Sequence, residues 1–358
     1  MGRRWLLDSF DWEGPDVIRI LHRLTLLLIL LAFPISCATA PEPAEEVKSM
    51  ETIGQVERVD TRMDRLVPED AVIEKLAAGF DWSEGPLWWR AETSLLFSDV
   101  PQNVVYRYRD GEGVTEFLRP SGHTHDGPPG REPGSNGLTF DLQGRLILCQ
   151  HGNRQVARLE ADGSFTTLAS HYDGKRLNSP NDVVVKSNGD IYFTDPPYGL
   201  TGLNDSPDKE LPFNGVFRLR PDGELTLLTR EMTFPNGLAF SPDESILYIA
   251  NSDPQKAIWM AYPVLEDGTL GEGKLFFDAT PWVPEFRGLP DGLKVDLEGN
   301  LFATGPGGVI VFSPEGDLLG RINPGVATAN CAWGNDGATL YLTADMYLAR
   351  IRLSTRGY

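Results

Sequence analysis

Pro180-Asn181-Asp182-Val183 returns as Pro235-Asn236-Gly237-Leu238 and again as Pro290-Asp291-Gly292-Leu293. Each copy starts with an amide or carboxylate at a tight turn and runs into apolar residues. A polar turn such as Asn188-Gly189-Asp190 or Asp296-Leu297-Glu298-Gly299 follows, then a second β-rich run such as Ile191-Tyr192-Phe193-Thr194-Asp195. Searching outward, Ser135-Asn136-Gly137-Leu138 and Ser83-Glu84-Gly85-Pro86 begin earlier copies, and Ala329-Asn330-Cys331-Ala332 begins a last one. The leading positions 84, 136, 181, 236, 291 and 330 are spaced by 52, 45, 55, 55 and 39 residues. That is too long for a hairpin and too short for a domain, but it suits one four-stranded blade. Six copies predict an all-β, six-bladed β-propeller with a central channel.

Composition agrees. Of 358 residues 41% are hydrophobic, and the 37 Gly and 27 Pro fall in turn signals between runs rich in Val, Ile, Leu, Phe and Tyr. A formal net charge of −19 would repel a phosphate backbone and an anionic membrane face, which excludes nucleic acid as a partner. No Gly-x-Ser-x-Gly nucleophile elbow and no phosphate-binding Gly loop is present.

The chain divides into three. Residues 1–37 read as a signal segment: Arg19 and Arg23 precede an apolar stretch over 24–33, too short for a comfortable membrane span. Two processing readings compete, an A-x-A site at Ala38-Thr39-Ala40 and a lipoprotein box at Pro34-Ile35-Ser36-Cys37. The second is preferred, because proline follows the first cut. It predicts an exported, periplasmic or cell-envelope protein that meets the membrane only through a lipid on Cys37. Residues 38–68 read as a flexible tether, and 69–358 as the propeller. A strand within 71–80 is expected to close the ring by pairing with residues 347–353. Cys149 and Cys331 are expected to be buried free thiols, and Trp88-Trp89 to pack between blades. The Gly- and Pro-rich insertion at 122–134 reads either as a loop over the channel mouth or as a surface excursion.

Equivalent residues of a propeller meet at its axis, so Glu84, Asn181, Asn236 and Asp291 converge. Two carboxylates and two amide oxygens are hard donors carrying two negative charges. They favour Ca²⁺, with Mg²⁺ or Mn²⁺ as substitutes, over a site dominated by zinc or copper. Asn136 comes from the matching place in the second repeat and is a candidate to hold substrate hydroxyls. His151, with His123 and His125, is a candidate second base or substrate contact.

Glu84-Gly85-Pro86-Leu87-Trp88, Asn178-Ser179-Pro180-Asn181-Asp182-Val183, Phe193-Thr194-Asp195-Pro196-Pro197-Tyr198-Gly199, Phe234-Pro235-Asn236-Gly237 and Pro290-Asp291-Gly292 together resemble the gluconolactonase and senescence-marker-protein (regucalcin) family. Cys149-Gln150-His151-Gly152-Asn153-Arg154 and Gly174-Lys175-Arg176-Leu177-Asn178 are most similar to its bacterial gluconolactonase branch. The resemblance spans roughly residues 70–355. It implies a propeller with one divalent metal, Zn²⁺ included among the possible ions, held by Glu84, Asn181, Asn236 and Asp291. It also implies hydrolysis of a small sugar lactone, with Asp291 as general base or nucleophile. Gln150 stands where many relatives have Glu, and the insertion enlarges a passage that is short in them. Two other readings stay open: an aryl esterase or phosphotriesterase on the same site, and a non-catalytic ligand-binding propeller. The sequence leaves the oligomeric state open.

Overall fold

Ile191–Asp195 and Leu301–Gly305 are buried at every residue, as strands pressed between neighbouring sheets must be, which explains why these runs do not alternate with polar residues. In the computed structural model, which describes residues 50–357, the repeats form six antiparallel sheets around a central channel. The innermost strands of blades 1 to 6 are Ser83–Trp89, Ser135–Phe140, Val183–Val185, Pro235–Phe240, Leu293–Val295 and Asn330–Gly334. Each lies beside the next, and the last returns to the first.

Six buried apolar clusters fill the grooves between adjacent blades. Trp88 stacks on Tyr341 of blade 6 with ring centroids 5.6 Å apart, and Trp89 meets Phe140 of blade 2 at 5.9 Å, so the tryptophan pair serves blade packing. Cys149 and Cys331 are free and buried. Among the described residues the only α-helix is the single turn Met63–Leu66, and no helix is long and apolar enough to cross a membrane.

Ring closure follows the sequence expectation. Ile73–Ala78 pairs antiparallel with Tyr347–Arg352, so blade 6 combines three C-terminal strands with two from the N-terminal side. The 38–68 segment differs from a simple tether where it is described. Thr52–Ile53 pairs with the closing strand, Gln55–Arg58 adds a fifth strand to blade 5 beside Leu318–Asn323, and Met63 and Leu66 are buried. The physical reason is that outer strands of two blades present open backbone edges, and these short strands cover them. The expected signal segment 1–37, with Cys37, and residues 38–49 of the expected tether lie outside the described residues.

A chain beginning at residue 80 loses Ile73 and the closing strand and leaves Tyr347–Arg352 as an open edge. It is expected to aggregate, whereas a chain beginning at residue 60 keeps closure and is expected to stay monodisperse with a lower melting temperature. Size-exclusion chromatography with thermal unfolding distinguishes them, and a monodisperse folded product from the shorter chain would refute this account of closure.

Candidate active site

The axial residues sit at the start of the innermost strands or, for Asn181 and Asp291, two residues before them. In blades 1, 2 and 4 an extra residue is accommodated after Glu84, Ser135 and Pro235, because three steps on the inner strand oppose two on its neighbour. Such a bulge re-aims a side chain relative to the sheet. The following glycine permits the close approach of the next blade: a Cβ on Gly237 would lie 2.2 Å from the Asp291 carbonyl oxygen, and one on Gly85 would lie 2.1 Å from that of Asn136. Gly85 also has φ of +51°, which a side chain would strain.

These residues line one side of a cavity of about 570 Å³. Glu84, Asn136, Asn181, Asn236 and Asp291 all reach its wall. Three amides form a directed belt. Asn136 Nδ2 donates to Asn181 Oδ1 at 2.9 Å, Asn181 Nδ2 donates to Asn236 Oδ1, and Asn236 Nδ2 donates to Ser252 Oγ at 2.9 Å. The Ser252 hydroxyl in turn donates a hydrogen bond to the carbonyl of Pro290, one residue before Asp291. The belt therefore fixes each amide by its neighbour.

The two carboxylates are not neutralised in this way. Glu84 is 2% exposed, and its Oε2 accepts from Gly85 N at 3.0 Å and Asn330 Nδ2 at 3.5 Å. Neither Glu84 nor Asp291 makes an ion pair among the described residues. Burial, opposed by the Gly85 hydrogen bond and assisted by the charges of Asp182 and Glu132, pushes the Glu84 carboxyl up to about 8. Burial raises Asp291 well above the usual carboxylate range, and Glu84, Asp182 and Glu132 raise it further. Buried negative charge requires a proton or a cation. Hard oxygen donors with a charge of about −2 between them fit a divalent ion of the calcium or magnesium type. The described residues contain no group of three or more His, Cys, Asp or Glu side chains arranged for a metal, so any cation here depends on amide oxygens as well.

His151 occupies a different place from the other predicted residues. It is 1% exposed and does not reach the cavity wall. Its Nε2 lies 3.1 Å from Asn181 Oδ1 and its Nδ1 lies 3.4 Å from Glu132 Oε2. His123 and His125 contact each other, with ring centroids 4.3 Å apart, away from the wall. The sixth axial residue, Asn330, touches Glu84 and receives Lys294 Nζ at 3.5 Å. That lysine offsets the raised Asp182 carboxyl and lines the cavity at the other end of the channel. The 122–134 insertion combines both of its readings. Residues 124–129 are exposed, whereas Arg131 and Glu132 reach the wall. Gly130 makes this possible, since a Cβ there would lie 2.1 Å from the Gly199 carbonyl oxygen. Arg131 and Glu132 carried no periodic signal in the sequence. Tyr198 also lines the cavity; the Pro196-Pro197-Tyr198-Gly199 turn after a blade strand was its only clue.

A family model described as the SMP-30/gluconolactonase/LRE-like region matches residues 82–345, which include every axial position. The chain belongs to this family. Within it, a gluconolactonase of Zymomonas mobilis subsp. mobilis is 39% identical over 341 residues, 92% of this chain and 96% of that protein. A pentonolactonase of Haloferax volcanii is 28% identical, covering 73% of this chain and 80% of its own. The solved structure of a gluconolactonase of Xanthomonas campestris has a TM-score of 0.74 and 33% identity, covering 85% of this chain and 97% of that one. A calcium-binding regucalcin of Agrobacterium tumefaciens, with a TM-score of 0.62 at 17% identity over 79% of this chain and 94% of its own, shares the fold.

A raised carboxyl in the folded state means that the native protein holds protons which the unfolded chain gives up. Stability of the SMP-30/gluconolactonase-like domain in chelator is therefore expected to fall as pH rises from 4.5 through about 8, where Glu84 is half ionised. Added divalent cation should reverse the fall and release protons on binding. Thermal unfolding across this range, with calorimetry in buffers of different ionisation enthalpy, checks both. A chelated protein that gains stability with rising pH would contradict the assignment.

Proposed function

We propose that this chain opens a small sugar lactone to its aldonic acid as a divalent-cation-dependent, gluconolactonase-like hydrolase. The observation that carries the reading is the buried Glu84 and half-buried Asp291, neither with a countercharge, on a wall shared with Asn136, Asn181 and Asn236. The gluconolactonase and pentonolactonase relatives support the substrate class.

Glu84, Asn181, Asn236 and Asp291 would hold the cation, Ca²⁺ by preference for hard oxygen donors, with Mg²⁺, Mn²⁺ or Zn²⁺ as alternatives. A cation bound there supplies Lewis acidity to a carbonyl oxygen. The chain's own residues supply the rest. Asp291 orients the attacking water and accepts its proton, as a carboxylate within reach of water can. Asn136 Oδ1 is buried without a partner and is suited to accept from a substrate hydroxyl. His151 holds Asn181 from behind, so the amide need not reorganise when substrate arrives. A cavity of about 570 Å³ admits a monosaccharide lactone and its water. We place this activity outside the cytoplasm, on a chain anchored through lipidated Cys37.

A panel of sugar lactones and aryl esters, assayed after chelation and after readdition of each cation, tests the reading. Lactone turnover is expected to return with metal. Asp291→Asn, shown to fold by circular dichroism, should lower kcat by about 10²- to 10⁴-fold. Full activity in chelator, or in the folded variant, would overturn it.

A further inference from the structure

Hydrogen-bond donors on the cavity wall are mostly directed into the wall itself. The Asn136, Asn181 and Asn236 amides donate along the belt, and the Ser252 hydroxyl donates to Pro290. Arg131 donates to Glu132 and to the Tyr198 carbonyl at 3.3 Å. Trp82 stands at the partly exposed margin. Two hydroxyls differ. The oxygens of Tyr198 and Thr328 line the cavity, are buried, and have no hydrogen-bond partner. A buried hydroxyl left unpaired costs about 1–3 kcal/mol, so such groups are expected to meet a ligand.

Tyr198 is the better placed of the two. Its ring stacks on Phe234 with centroids 5.9 Å apart and planes 15° from parallel, while the Arg131 hydrogen bond holds its backbone. The hydroxyl is thereby fixed beside Asn236 and Ser252, within the field of Asp291. A phenol keeps its proton throughout the physiological range, so Tyr198 remains a donor there. A phenol is also a stronger acid than the Thr328 alcohol, and donates the stronger hydrogen bond to a developing alkoxide.

When a lactone opens, two oxygens gain negative charge: the carbonyl oxygen during attack and the ring oxygen as it leaves. The proposed function provides for the first and leaves the second without a partner. We propose that Tyr198 is a catalytic residue that donates a hydrogen bond to the departing ring oxygen. This inference rests on the lactonase reading. In the step, a bond forms between the water oxygen and the acyl carbon, and the bond from acyl carbon to ring oxygen breaks. The water proton passes to Asp291 and then to the alkoxide, and Tyr198 keeps its own proton.

The experiment compares Tyr198→Phe with the unaltered full-length protein on lactones that the latter opens, chosen to span leaving groups from aliphatic alkoxide to phenoxide. The variant retains the ring that stacks on Phe234. For the alkoxide-leaving substrates kcat is expected to fall about 10²-fold, as when one oxyanion donor is removed. For the phenoxide-leaving substrates the loss should shrink to a few fold, because that oxygen carries less charge at departure. Cation affinity by calorimetry and the melting temperature are expected to change little. Equal losses across the series, a change confined to KM, or a leaving-group dependence that appears with Thr328→Val and not with Tyr198→Phe would each overturn the proposal. Failure of the unaltered protein to open any lactone would instead defeat the functional reading on which it rests.

Discussion

Uncompensated negative charge at the propeller axis is the constraint on which this structure depends. A carboxylate taken out of water needs a proton, a cation or a dense set of donors. Glu84 has two weak donors, Gly85 N and the Asn330 amide, and Asp291 sits in the field of three other carboxylates. The arrangement is unstable as a fully ionised apolar core would be. It is well suited as one half of an ionic site whose other half arrives from solution. The amide belt makes sense in the same terms. Asn side chains bring oxygen donors to the axis without adding charge that would have to be neutralised.

Closure of the ring sets the spacing of these groups. Ser83, the neighbour of Glu84, donates its hydroxyl to the carbonyls of Asp345 at 2.9 Å and Tyr347 at 3.0 Å, the turn that leads into the strand paired with Ile73–Ala78. The first blade is thus registered directly on the last. Asn330 at the start of blade 6 reaches Glu84 at the start of blade 1 across the same seam. Five further seams are set by covalently consecutive repeats, but this one depends on strand pairing between distant parts of the chain. Ring stability and site geometry are coupled there more tightly than anywhere else.

What could be read from the sequence follows from what repeats. The six leading positions were legible because a propeller uses the same backbone position in each blade, and in blades 1, 2 and 4 the Glu-Gly and Asn-Gly pairs mark bulges whose geometry recurs. Three kinds of residue were less visible. Thr52–Ile53 and Gln55–Arg58 are two and four residues long, and their reason for being strands lies in edges contributed by other blades. Arg131 and Glu132 belong to an insertion, which by definition has no counterpart in the other repeats. Tyr198 lies on a turn that reaches the axis from outside the strand pattern. His151 was visible as a histidine near the site, but its place behind Asn181 and Glu132, which reach the wall in its stead, is set by packing between distant segments. One carboxylate does appear where the repeats give none. Gln150, neutral and buried, binds the Ser121 carbonyl at 2.9 Å at the root of the insertion, while Glu132 near the insertion's other end brings a carboxylate to the wall.

That acidic wall has a consequence for the direction of traffic under the lactonase reading. A lactone is neutral and enters without electrostatic cost, and its hydroxyls can pair with the belt and with the unpartnered hydroxyls. A divalent cation would balance Glu84 and Asp291, which leaves Glu132 as the further carboxylate on the wall when ring opening creates a new one. At an effective dielectric of about 20, two like charges 4 Å apart repel by about 4 kcal/mol, so Glu132 works against the pull of the cation on the product. Arg131 is the cation on this wall, and it is half-exposed and already joined to Glu132. It can guide an anion at the margin without holding one at the axis. Glu132, the wall carboxylate outside the cation's ligand set, thus disfavours retention of the acid, and a net charge of −19 extends that repulsion over the molecule as a whole.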